Sequence, residues 1–420
     1  MVSTDESVSK PTKQRPEPLW RNKDFMLLWS GQSLSTIGTG ITQFSFPLLI
    51  LYLTASPGTA GLAAAFTSLP YLFLSLPAGA LIDRWDRKRV MIICDICRAI
   101  NIFSVPVALY FHRISIIQLF IVSFLEGCFF VFFNLAEASS LPRVVSTEQL
   151  PQATAQNEIT TSITELVSPS LGGLLFSISL TLPFLTDAIS YAASVGSLLL
   201  IKTGFQQERK QTQVNLWEQI REGLVWLWQQ PLVRFMAFLT GFVNLFTAGS
   251  VLVVIVMAQQ KGAPAYAIGL IFAIASIGGI VGSLIGGVVQ ERFRFGTVII
   301  GSCIAIALLY PLYALVPNPF LLGVVNAGIF LVIPLYNVVQ FSYRLSLIPD
   351  ELQGRVNSVF RLLAFGFMPL GQAMTGFLLQ TTGATVTIIV TTIGLATIAL
   401  LAFFNPAIRN ARALATQEEE

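Results

Sequence analysis

Twelve runs of mostly apolar residues, each long enough to cross a bilayer, limit what this chain can fold into. A spanning helix needs about 20 such residues. The runs cover 25–53, 61–82, 90–111, 114–137, 155–177, 182–202, 232–258, 265–289, 296–316, 319–343, 355–379 and 384–405. Many hold Gly or Pro, which membrane helices tolerate, and the short alternating segments of a barrel are absent. Composition agrees: 11% of residues are charged, against roughly 25% in soluble domains. A soluble enzyme, a disordered chain and a nucleic-acid binder are excluded.

Short cytoplasmic loops retain Lys and Arg, which tests the topology independently. With both termini inside, 21 of the 25 basic residues fall in inside segments. They include Lys10, Lys13, Arg15, Arg21 and Lys23 in the first tail, and Arg344 and Arg355 after the tenth run. Only Arg113 and Lys261 fall outside, while Arg98 and Arg361 lie within runs. The pattern predicts an all-α membrane protein with 12 transmembrane helices and both termini cytoplasmic. The first 24 residues lack an apolar core followed by a cleavage site, so no removable signal peptide is expected.

A polar interruption near the midpoint separates six runs from six. The expected segments are a cytoplasmic tail over 1–24, a six-helix bundle over 25–202, a cytoplasmic linker over 203–231, a second bundle over 232–405 and a tail over 406–420. In the linker, Leu216, Trp217, Ile220, Leu224, Leu227 and Trp228 recur at helical spacing opposite Glu218, Gln219, Arg221 and Glu222, as in an interfacial amphipathic helix. Sliding the chain by 208 sets Gly79, Asp83 and Arg84 over Gly287, Glu291 and Arg292, and sliding it by 203 sets Gly173 over Gly376. These matches indicate a duplicated six-helix unit.

Cys94 and Cys97 form a C-x-x-C inside an apolar run, where the reading is helix packing and no metal site. No nucleotide-binding G-x-x-x-x-G-K-[ST] occurs, so transport would be secondary. No cofactor is expected.

The stretch Gly79-x-Leu81-x-Asp83-Arg84-x-x-Arg87-Lys88-Arg89 closely resembles the loop signature of the major facilitator superfamily. Asp86 stands where the general signature has Gly. The opening Leu19-Trp20-Arg21-Asn22, with Phe25, Leu28, Trp29, Gly31, Gln32, Ser35 and Gly38, is similar to the bacterial drug:proton antiporter branch that holds macrolide and siderophore exporters. The resemblance spans about residues 19 to 405. It implies two pseudo-symmetric parallel six-helix bundles, a monomer working in the bacterial inner membrane, and a small-molecule substrate. Ser168, Pro169, Gly172 and Gly173 resemble the G-P-x-x-G-G antiporter motif. Small residues also serve close helix packing, and the expected partner is the eighth run, 265–289, where Gly278, Gly282 and Gly286 repeat at four-residue spacing.

In the resembled fold Asp83 meets the N-terminus of the eleventh run near Gly354. An anion there gains about 0.3–1 kcal/mol, up to about 2 when partly buried. That contact exists while the cytoplasmic side is closed, and so favours the outward-open state. Arg84, Arg87 and Lys88 read equally as lipid anchors, and Glu137 is a candidate partner for Arg87.

An ionisable group in a spanning helix costs at least about 2.5 kcal/mol at its centre and is a functional candidate. The candidates for proton coupling or substrate contact are Glu126, Glu158, Glu165, Asp187, Arg98 and Arg361. Glu126 fits a coupling role best by depth, and Glu165 follows, on one face with Glu158. Arg98 follows Asp95 by three, which suggests an intrahelical pair; Arg361 has no sequence-local acid. Phe124, Phe129, Phe130, Phe132 and Phe133 surround Glu126 and suit a bulky lipophilic or cationic substrate. The leading reading is a proton-coupled exporter of a hydrophobic or amphipathic molecule. A metabolite importer of the same fold and a non-transporting sensor are the alternatives.

Overall fold

The computed structural model of the protein describes residues 18–82, 84–206, 216–409 and 411. The first half holds α1 (Lys23–Thr54), α2 (Pro57–Ile82), α3 (Arg87–Tyr110), α4 (Ile116–Val144), α5 (Leu150–Ile178) and α6 (Leu182–Leu200). A connecting helix, α7 (Leu216–Gln229), leads to α8 (Pro231–Thr247), α9 (Ser250–Gln260), α10 (Ala265–Arg292), α11 (Phe295–Leu309), α12 (Leu312–Leu315), α13 (Pro319–Leu347), α14 (Gln353–Gly366), α15 (Met368–Phe404) and α16 (Pro406–Arg409). No strand occurs among the described residues. Ten stretches of the described residues are long and apolar enough to cross a membrane, the last being the 52-residue Gln353–Phe404.

Local chemistry sets several boundaries. Helix starts leave unpaired N–H groups that short polar side chains can accept. Asn22 takes the Phe25 N–H at 3.1 Å, Ser115 takes that of Gln118 at 3.2 Å, and Asn318 takes that of Leu321 at 3.0 Å. Asp86 does the same for Arg89 at 3.1 Å, so the departure from Gly in the loop signature serves to start α3.

The apolar runs differ from the helices in the second half. Run 232–258 breaks at Ala248–Gly249, where Thr375 occupies the space that a side chain on Gly249 would need. Run 296–316 breaks at Pro311, which has no N–H to continue the ladder. Run 319–343 extends to Leu347, which brings Arg344 inside α13. Within α15, Gly383 has φ 80° and ψ 175°, a conformation costly to any residue with a Cβ. Gly371 and Gly394, about equally far to either side of Gly383, both pack on the Leu245–Phe246 segment, so the chain reverses there.

In the first half α1 packs on α5 and α6, and α3 and α4 complete the bundle with α2. In the second, α10 and α11 pack on α13, and α8 packs on α14 and α15. The glycine stripe Gly278, Gly282 and Gly286 faces Ala327, Leu331 and Val338 of α13, inside its own half, so α5 packs on the expected helix, α10, but not on its stripe. The actual crossing of α5 on α10 uses Gly173 and Pro169 against Ala265 and Gly269. A second inter-half crossing brings α2 onto α15, where a Cβ on Gly61 would lie 2.6 Å from the Gln372 carbonyl oxygen. Ser68 Oγ also donates to Gln372 Oε1 at 2.8 Å.

The buried apolar residues form one cluster common to both halves around the α1–α2 turn, from Leu48 and Phe184 to Ile268 and Ile388. At the other end they split into two. One holds Phe25, Met91 and Ile201, the other Val233, Phe295 and Ile408. There a Cβ on Gly79 or Gly287 would meet nothing within 4 Å among the described residues. The molecule is closed at the α1–α2 end and open at the opposite one.

Linker helix α7 buries Leu227 and sets Gly223 against the Arg355 backbone of α14, with Glu222 Oε2 2.5 Å from Arg355 Nη1. Leu224 and Trp228, read with Leu227 as one apolar face, remain exposed.

Candidate functional site

Helix α4 carries Glu126 to the wall between two cavities, with a third behind Arg98. Glu126 lines two, of about 270 and 390 Å³, and Arg98 of α3 lines the first of these and a third of about 570 Å³. Gly127 lets α4 approach α2 so closely that a side chain there would strike the Thr67 carbonyl.

Arg98 is 3% exposed, with Nε and Nη2 at 2.6 and 2.5 Å from Glu126 Oε1. The Tyr191 hydroxyl of α6 donates to the same oxygen at 2.9 Å, and Thr39 Oγ1 of α1 lies 2.8 Å from the Tyr191 hydroxyl. The Arg98 guanidinium carbon stands 4.3 Å from the Tyr191 ring centroid and 5.9 Å from those of Phe130 and Phe133. The charge is thus matched by one carboxylate and padded by aromatic faces. One Glu126 oxygen is committed to the pair and the other, Oε2, also buried, has no hydrogen-bond partner among the described residues.

Asp95, expected to pair with Arg98, turns instead to α6. It accepts from Ser194 Oγ at 2.6 Å, and Ser194 in turn accepts from Gln32 at 3.2 Å. Asp187 is fully buried against α1, at Gly38, with Ser190 Oγ 3.3 Å from its Oδ1, and lines none of these cavities. Glu158 lines the 570 Å³ cavity with Glu137 and Trp29. Glu165 is exposed two turns further along α5, where Ser276 of α10 donates to its backbone carbonyl at 2.8 Å. Arg361 lines the 270 Å³ cavity and a fourth, of about 350 Å³, and makes no hydrogen bond or ion pair among the described residues.

The α5 motif serves as a joint between helices. Ser168 Oγ donates to the Ile37 carbonyl at 3.1 Å, and the Gly172 carbonyl accepts from Ser45 at 3.4 Å, both on α1. Pro169 and Gly173 face α10. In the loop signature, Arg87 Nη1 donates to the Ser139 carbonyl at 2.7 Å rather than to Glu137, and Lys88 Nζ donates to the Ile201 carbonyl at 2.7 Å. These bonds tie the start of α3 to the ends of α4 and α6. Arg84 is exposed, and Asp83 lies outside the described residues.

Sequence reading missed Tyr191 and Thr39, and placed Arg344 in a loop. The signal for Arg344 was present, because Tyr336, Gln340 and Arg344 recur every four residues and so share one helical face.

A family model described as transmembrane secretion effector matches residues 17–419. The chain belongs to that family of major facilitator transporters. Among curated relatives, it is 26% identical to macrolide efflux protein A of Streptococcus pyogenes, over 84% of this chain and 88% of the other. It is 26% identical to the multidrug efflux pump Tap of Mycolicibacterium fortuitum, over 89% and 93%. With the enterobactin exporter EntS of Salmonella typhi it shares 23% over 84% of each chain. The fold matches the crystal structure of the nucleoside transporter NupG at a TM-score of 0.74, with 15% identity over 90% of this chain and 98% of that one. A bacterial homologue of ferroportin, inward-facing, matches at 0.73 with 16% identity over 92% and 99%. The chain is a multi-pass membrane protein and a secondary transporter.

Proposed function

We propose that the chain exports a hydrophobic or amphipathic small molecule from a bacterial cell in exchange for protons, by alternating access. The observation that carries this is the Glu126–Arg98 pair at the junction of the cavities, with one carboxylate oxygen unpartnered among the described residues. Protonation of Glu126 removes the Coulomb attraction that holds Arg98 to α4. The freed guanidinium retains Tyr191 and Thr39 as neighbours, so α3, α4 and α6 can shift relative to one another without stranding it. Efflux proteins among the relatives support the direction of transport.

In this reading the open end faces the cytoplasm, α5 counts as a span despite its polar stripe, and Gly383 divides the last long stretch in two. The total is then twelve spans with both termini inside. Asp83 docks at the α14 N-terminus when that end closes, and Asp83→Asn should reduce transport with insertion intact. A single cysteine at position 86, in a Cys-free background, should resist an impermeant thiol reagent in intact cells; labelling there would overturn the orientation.

Proteoliposomes test the coupling. With a panel that includes macrolides, wild-type protein should accumulate substrate against its gradient when a pH difference is imposed. Glu126→Gln should lose that accumulation and keep exchange at equal pH. Retained gradient-driven accumulation would move the role elsewhere, to Glu165 if Glu165→Gln then abolishes it.

A further inference from the structure

The second half holds a cavity of about 350 Å³ between α8, α13 and α14 with a charge pattern unlike that around Glu126. Two arginines line it, Arg344 and Arg361, and among the described residues no Asp or Glu does. The nearest acid in this sequence of cavities, Glu126, lies in the adjoining 270 Å³ space and is already bound to Arg98. Arg344 is 5% exposed. Its Nη1 reaches Gln340 Oε1 at 3.4 Å, while its Nε and Gln340 Nε2 have no hydrogen-bond partner among the described residues.

Three of the neutral polar groups of the cavity already have partners. Thr240 Oγ1 and the Tyr336 hydroxyl are 2.8 Å apart, and Asn244 donates to the Ala364 carbonyl at 2.7 Å. What remains is a set of donors without an acceptor. The Arg344 guanidinium lies over an aromatic ring, its central carbon 3.8 Å from the Phe360 ring centroid and 5.3 Å from that of Phe341. A planar fork fixed on an aromatic face suits a planar, two-oxygen anion. An unmatched buried cation is costly, and two like charges on one cavity wall repel, so an anionic ligand lowers both energies. Phe360, Phe365 and Ile333 supply apolar walls.

We infer that this cavity is the subsite for the anionic head, a carboxylate or an equivalent oxyanion, of an amphipathic substrate. Arg344 and Gln340 bind the head, and Arg361, which borders both cavities, leads it toward the Glu126 side. The inference deepens the export reading by assigning a substrate class, and rests on it for the word substrate.

The test is equilibrium binding to full-length protein in phosphatidylcholine nanodiscs, without any gradient, so that a failure of proton coupling leaves it untouched. The probes are dansylglycine and its neutral amide, read by fluorescence. Dansylglycine should bind wild-type protein about tenfold or more tighter than the amide. Arg344→Gln should remove that preference by weakening dansylglycine far more than the amide, and Arg344→Lys should restore part of it. Arg361→Gln, at a cavity-facing position, should weaken dansylglycine in the same direction and serves if Arg344→Gln does not fold. Equal binding of the two probes, no dansylglycine binding at millimolar concentration, or an equal loss of both probes in Arg361→Gln would each overturn the inference. Discs with one part in three phosphatidylglycerol separate the sources of anion: unchanged dansylglycine affinity supports a substrate subsite, and displacement by the lipid assigns the site to a headgroup instead.

Discussion

Arg98 and Arg344 are both buried arginines that line cavities, one in each half of the chain, yet the two halves treat them differently. Arg98 has Glu126 at 2.5 Å, a tyrosine sharing that carboxylate, and three aromatic rings. Arg344 has similar aromatic padding but only a long bond to Gln340. Aromatic faces alone do not offset a buried charge. On the two proposals made above, the first half carries an ion pair for a proton to open and the second a cation for an anion to match. Together the two proposals divide the work between the halves of the chain.

The largest expected effect separates the two by function. Glu126→Gln should abolish gradient-driven accumulation in proteoliposomes, whereas Arg344→Gln should leave the response to the pH gradient in place and raise the KM for an anionic substrate by about tenfold or more. If Arg344→Gln instead uncouples transport from the gradient, the division of labour collapses.

Stability in detergent provides the second contrast. Glu126→Ala leaves Arg98 unpaired, which costs about 3–5 kcal/mol at a fully buried site; the 13% exposure of the Glu126 side chain puts the expectation at the low end. Arg344→Met removes an uncompensated charge and keeps the contact with Phe360, so its melting temperature should equal or exceed the wild-type value. A melting temperature lowered as far as in Glu126→Ala would show that Arg344 has a counter-charge.

The comparison holds for a molecule open at one end, and Gly61→Val probes the other state. The added side chain would enter the 2.6 Å gap to the Gln372 carbonyl and force the closed end apart. Accessibility of single cysteines near Gly376 should rise, and the anion affinity of the Arg344 cavity should change by less than the accessibility does. A collapse of anion binding would mean that the subsite exists only in the state described.

The smallest effect belongs to a third arginine. Arg355 pairs with Glu222 at 2.5 Å, but the side chains are 34% and 51% exposed. Such pairs contribute about 0.2–1 kcal/mol, less with salt. Glu222→Gln should therefore lower the melting temperature slightly, and a loss comparable to that of Glu126→Ala would give α7 a structural weight its burial does not support.

Much of the helical layout was legible because burial in lipid demands long apolar runs and intrasegment hydrogen bonding, and both leave a pattern in one dimension. The runs land on helices, and the gap between 379 and 384 falls on Gly383, where the chain reverses. The candidate site was half legible. Glu126, Arg98 and Arg361 line the central cavity as charges within apolar runs should. Their partners were not: Arg98 passes over Asp95, three residues away, for Glu126, 28 residues away. Ser194 turns one oxygen of Asp95 toward α6, and the crossing of α3 on α4 brings Glu126 within reach. The stripe Gly278, Gly282 and Gly286 revealed a face made for close packing, but α13, and not α5, lies against it.

The sequence by itself determined that the chain spans a membrane as helices with a few charges inside, because each of these follows from the cost of placing a given residue type in lipid. Tertiary structure alone decided which charge meets which, because helix crossings and rotamers bring together side chains from different elements. It was this that matched Arg98 and left Arg344, written as a loop residue, buried in a cavity that no acid lines among the described residues.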